Sequence, residues 1–158
     1  MKRLPSSVVA SIFLLFAGGA VPANAQSLNA KVVGVWTLKS GSENFADGKK
    51  NMPWATGNLI VDPSGHLAYM LIGKDQPKTS PNPQTPVGPA VACYGTYTFD
   101  EANNVLTQKT DHCVSPLGNG GTHTYKVSFS GDTMTWTGSE VKTAKGMITP
   151  VNQWQKAK

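Results

Sequence analysis

The sequence predicts an all-β fold, a single small antiparallel up-and-down β-barrel of about 8 to 10 strands. Turn residues and β-formers alternate through the chain beyond residue 25, and nowhere does a helical apolar period persist. The links between several candidate strands are tight turns, which make neighbours antiparallel. Strands joined in sequence leave two exposed edges unless the sheet closes, and a meander of this strand number closes as a barrel.

The N-terminal stretch is set apart first. Lys2 and Arg3 precede an apolar run from Val8 to Val21 that ends in Ala23-Asn24-Ala25. This is the pattern of a Sec-type signal peptide covering residues 1–25 and cleaved before Gln26. The apolar run is shorter than the roughly 20 residues that cross a bilayer. We therefore expect a periplasmic or secreted product with no membrane span after cleavage, and one domain over residues 26–158.

The candidate strands are Val32 to Leu38, Asn58 to Val61, His66 to Ile72, Tyr94 to Phe99, Val105 to His112, His123 to Ser130, Thr133 to Gly138 and Val151 to Lys156. Asp62-Pro63-Ser64-Gly65, Asp100-Glu101-Ala102-Asn103-Asn104 and Ser130-Gly131-Asp132 supply three turns. Residues 40–57 are polar and Gly-containing, with room for a short strand near Glu43 to Phe45. Residues 73–92 hold Pro77, Pro81, Pro83, Pro86 and Pro89, which exclude helix interior and central strand. So long a link is expected either to cover a barrel mouth as a partly stiff lid or to be a loop without a role.

Charge narrows the partners. The chain carries 14 Lys and Arg against 9 Asp and Glu, yet its one arginine is Arg3, within the signal segment. Scattered lysines without arginine forks give no footprint for nucleic acid.

From Val32 to Lys156 the chain resembles the lipocalin-like domain family of bacterial proteins. Gly34-Val35-Trp36 resembles the family's opening strand, and residues 58–67 resemble its apolar strand, proline turn and return strand. Tyr94-Gly95-Thr96-Tyr97 is similar to its Gly-x-Tyr hairpin arm, Ser130-Gly131-Asp132 to its Gly-Asp turn, and Gln153-Trp154-Gln155-Lys156 to its closing Trp strand. The resemblance implies structural roles for Trp36 and Trp154. In lipocalins a basic side chain covers the opening indole; without an arginine here, the resemblance implies Lys156 as a weaker cation–π partner for Trp36.

Cys93 and Cys113 stand at the outer ends of one hairpin and are expected to form a disulfide. A turn centred on Asn103 sets them opposite each other. A turn centred between Ala102 and Asn103 puts Tyr97 and Phe99 on the face of Leu106, and then a bulge is needed.

Catalytic motifs are scarce: the chain has no Gly-x-Ser-x-Gly elbow, phosphate-binding glycine loop or His-Glu-x-x-His pair. Asp111, His112 and His123 are the one combination that suggests a perturbed pair or a metal site, and we expect neither metal nor cofactor. Alternation from Leu106 puts Gln108 and His112 on the inner face with Tyr97. Tyr125 shares one face of the next strand with Val127 and Phe129, and Trp136 belongs to the strand after it. With Tyr69 and His123 these form the expected ligand-binding set, an apolar interior with a few polar groups.

The expected function is binding of a small apolar or amphipathic ligand in the barrel of a monomer or weak dimer. One alternative is an enzyme acting on a small hydrophobic metabolite with His112 or His123 as acid or base. The other is a non-catalytic envelope or interaction module with a solid core and an exposed apolar patch.

Overall fold

The computed structural model describes residues 27–76, 88–114 and 119–158. The expected signal peptide and residues 77–87, with all but the last of the five prolines, lie outside these. A short helix, α1 (Leu28–Val32), leads into β1 (Gly34–Phe45), β2 (Lys50–Asn51), β3 (Trp54–Val61), β4 (His66–Gly73), β5 (Ala90–Asp100), β6 (Val105–Cys113), β7 (Thr122–Ser130), β8 (Thr133–Gly138), β9 (Val141–Thr143) and β10 (Gly146–Lys156).

These strands form one sheet in the order β2-β1-β3-β4-β5-β6-β7-β8-β10-β9, and β1 also pairs with β10. That extra pairing closes eight strands into an antiparallel barrel, with β2 and β9 as short flanking strands. The architecture is the small antiparallel barrel that the alternation predicted, in the lipocalin-like form that the resemblance implied.

Several boundaries differ from expectation. Val32 ends α1 instead of opening a strand, and β1 continues through the polar residues to Phe45. Strand β3 begins at Trp54, β5 at Ala90 and β10 at Gly146, each earlier than the apolar alternation indicated. Pairing with longer neighbours extends these strands through residues whose local propensity is weak.

The two ends of the barrel are built differently. At one end α1 caps the interior: Ser27 Oγ accepts a hydrogen bond from Ala30 N at 3.1 Å, and Asn29 N donates to Glu101 Oε1 at 2.8 Å. The buried Trp36 Nε1 donates to the Val32 carbonyl at 2.9 Å, and Lys156 Nζ stands 5.2 Å from the centre of the Trp36 ring. Gly34 makes this arrangement possible: its φ is +140°, and a Cβ there would meet Lys156 Cε at 3.1 Å. Trp36, Leu59, Val61, Leu67, Leu106 and Met134 pack the interior above the cap.

The Cys93–Cys113 disulfide ties β5 to β6 near the opposite end. Of the two hairpin registers, the one with a bulge is found. Phe99 faces Leu106 and Tyr97 faces Gln108, then the register shifts at Tyr94/Gly95 so that Cys93 meets Cys113.

Two stability outcomes follow from this framework. Trp36→Ala should lower unfolding free energy by about 3 to 5 kcal/mol, whereas Lys156→Met should cost no more than about 1 kcal/mol, both read by urea denaturation. Replacing both cysteines by alanine should cost about 3 kcal/mol, because the unfolded chain regains the entropy of a loop of 20 residues' separation.

Candidate functional site

Opposite the α1 cap, the interior opens into a cup of about 180 Å³. Trp54, Leu71, Val91, Ile148 and Pro150 form its rim and apolar wall, and Trp136 and Trp154 border it from the core side. Its polar groups come from Glu43, Tyr69, Tyr125 and Asn152. The volume is on the scale of a cavity that holds one benzene-sized ring.

Strand irregularities aim these residues. In β1 the register against β10 shifts between Leu38 and Ser40, so Trp36 and Leu38 face inward before the shift, and Gly41 and Glu43 after it. A second shift between Trp54 and Thr56 turns Trp54 inward, although Gly57, Leu59 and Val61 occupy the alternate inner positions. Asn152 needs no such device, since it shares a face with Trp154 along β10 and pairs with Gly41 across the seam. A Cβ at Gly41 would sit 2.6 Å from Trp54 Cδ1 and 2.8 Å from Asn152 Oδ1. The missing side chain leaves the room that Trp54 and Asn152 occupy.

Aromatic rings stack around the cup. Tyr125 lies over Trp136 with centroids 4.9 Å apart, and Trp136 meets Trp154 edge-on at 5.9 Å. Burial raises the Tyr69 and Tyr125 phenols above their ordinary pKa near 10. For Tyr125, the neighbouring Tyr69 and the hydrogen bond between the two phenols push further in the same direction.

Two buried atoms of the cup's lining, Asn152 Oδ1 and Trp154 Nε1, have no hydrogen-bond partner among the described residues. A third such atom, Gln108 Oε1, belongs to the interior wall, where Gln108 Nε2 donates to Thr110 Oγ1 at 3.0 Å. Buried polar atoms are nearly always paired, and these two are shut inside the wall, with no surface of their own open to the hollow.

The residues singled out from sequence divide accordingly. Tyr69, Tyr125 and Trp136 line the cup, and Trp154, expected only to be structural, lines it too. Tyr97 and Gln108 are buried on the inner face outside that lining, and Tyr97 O–H donates to the Asp62 carbonyl at 3.1 Å. His123 shares the inner face of β7 with Tyr125 and pairs with Gln108, but does not line the cup. His112 is placed on the outer face, a correction: the shift at Tyr94/Gly95 turns it from the side of Leu106 to that of Tyr94, whose ring lies 5.6 Å away. Among the described residues no three His, Cys, Asp or Glu side chains are grouped so that they could hold a metal ion. Glu43, Trp54 and Asn152 were not singled out from sequence, and the first two sit beyond register shifts that simple alternation does not anticipate.

A larger hollow, about 670 Å³, lies on the outside of the barrel, where exposed Val35, Ile60, Met70, Tyr94 and Val114 form an apolar stripe beside His112. None of the unpartnered buried atoms lies in it. The cup lies inside the barrel and carries a carboxylate in its lining, whereas the stripe is an open apolar surface.

Neither a protein-family model nor a curated protein matches this chain.

The phenols provide a direct check on the cup. Of the 4 tyrosines, Tyr69, Tyr97 and Tyr125 should resist ionisation at the ordinary phenol pKa, giving a late step in an ultraviolet titration that Tyr69→Phe/Tyr125→Phe reduces to the contribution of Tyr97. Because the folded pKa values lie above the unfolded ones, this stabilisation is complete below about pH 10 and is lost as pH rises further, so alkaline unfolding should shift upward in the double variant.

Proposed function

We propose that this chain is an exported lipocalin-like protein that binds a small amphipathic ligand of single-ring size in the cup between Trp54 and Trp154. The observation that carries the reading is the hollow itself, walled by five aromatic rings and with Glu43, Tyr69 and Tyr125 among its lining. An occupant's ring displaces water from the apolar walls, and its polar group meets the few polar side chains there.

Export is supported by the sequence of residues 1–25 and by a disulfide of the kind that persists in oxidising compartments. The order of Gly-x-Trp, proline-turn, Gly-Asp and closing Trp motifs supports the lipocalin-like assignment, as does the Lys156–Trp36 contact at the capped end.

Native mass spectrometry of protein purified from its own compartment tests this reading. The expected spectrum shows a non-covalent adduct of single-ring mass, together with the mass loss of one disulfide. Val91→Trp, which fills the cup from its rim, should abolish the adduct while leaving the far-ultraviolet circular dichroism unchanged. An adduct that survives this substitution would place the ligand elsewhere.

A further inference from the structure

We propose that the ligand is a single-ring aromatic amine bound as its cation, an inference that rests on the cup being the binding site. Glu43 is the one carboxylate lining the cup among the described residues, and no Lys, Arg or His joins it there. The cup's electrostatics are therefore of one sign. The rings of Trp54, Tyr69, Tyr125, Trp136 and Trp154 present faces and edges around the same space, and an aromatic face attracts a cation through its quadrupole. A carboxylate ligand would meet Glu43 with no counter-charge, and a purely apolar one would cover the Glu43 carboxylate without pairing it.

The seam between β1 and β10 places the charge beside the orphaned amide. Glu43 pairs with Pro150 and Gly41 with Asn152, so Glu43 and Asn152 are diagonal inward neighbours, on the order of 6 Å apart at their Cβ atoms. Glu43 Oε2 accepts a hydrogen bond from Asn51 Nδ2 at 2.9 Å, which fixes the carboxylate. Its Oε1 has no hydrogen-bond partner among the described residues. An ammonium carries three donors, of which one meets Glu43 Oε1 while the aromatic faces surround the rest of the charge.

Tyramine, 4-ethylphenol and 4-hydroxyphenylacetate share a ring and a hydroxyl and differ in the charge of the tail, so they separate the contributions. Each is titrated into the disulfide-intact protein while the tryptophan indole N–H signals are followed by NMR, with Trp154→Phe assigning its signal. Tyramine is expected to bind about tenfold more tightly than 4-ethylphenol, the scale of one charge-assisted hydrogen bond, with the anion weakest. Glu43→Gln keeps the size of the side chain and an oxygen for Asn51; it should bring tyramine down to the level of 4-ethylphenol and leave 4-ethylphenol unchanged. If 4-ethylphenol or the anion binds as tightly as tyramine, or Glu43→Gln leaves tyramine unaffected, the amine inference is overturned and the cup remains a binding site. If none of the three shifts the Trp154 signal, the binding site itself is refuted and the inference goes with it.

Discussion

The pairing of β1 with β10 is the constraint on which the other features depend. It runs from Trp36↔Lys156 at the capped end to Phe45↔Ile148 at the mouth. Without it, the longest strands of the sheet would be open edges, each a template for pairing with other chains. Closure also decides what faces inward. Because side chains alternate with a period of two, the seam sets Trp36, Leu38 and Trp154 into the core and carries Gly41, Glu43 and Asn152 to the cup. Structural packing and the candidate site are thus two stretches of one ladder.

The asymmetry between the ends follows from how the chain turns. At the capped end the links after β3, β5 and β7 are tight, so the flanking side chains Val61, Leu67, Leu106 and Met134 converge and fill the space. Large side chains fill the barrel interior there, and α1 packs beside Trp36. At the mouth, strands diverge toward longer connections, and β2 and β9 continue the pairing outside the barrel. Rings that cannot interlock completely leave a hollow between Trp54, Trp136 and Trp154. A barrel of this strand number is near the boundary between a filled core and a ligand cavity, and here it is filled at one end and hollow at the other.

How much of this was legible in the sequence depends on where alternation is uninterrupted. The capped half obeys strict period-two patterning, so Trp36, Leu106, Met134 and Trp136 fell on the correct face, and the Gly-Asp turn ended its strands where the structure does. The mouth half contains three register shifts, at Leu38/Ser40, Trp54/Thr56 and Tyr94/Gly95. Each one reverses the parity of everything beyond it. Glu43 and Trp54 were missed for this reason, and His112 was assigned to the wrong face. Bulges of this kind depend on pairing between distant segments, and no local residue preference announces them. Asn152 is a different case. Its alternation with Trp154 was readable, but a polar residue two positions after a proline looks like a strand end until β1 is known to continue beside it.

The proposed binding function bears on why unpaired polar atoms are kept in the wall around the cup. An unpaired buried donor or acceptor costs about 1 to 3 kcal/mol, and apolar replacements of similar shape at Asn152 would remove the cost. A chain selected for stability alone has easy routes to a solid core, as its own capped end demonstrates with Trp36, Leu59 and Met134. Under the proposed function, a ligand that engages the folded barrel and not the unfolded chain would offset this cost by mass action, raising the unfolding free energy with the logarithm of its concentration.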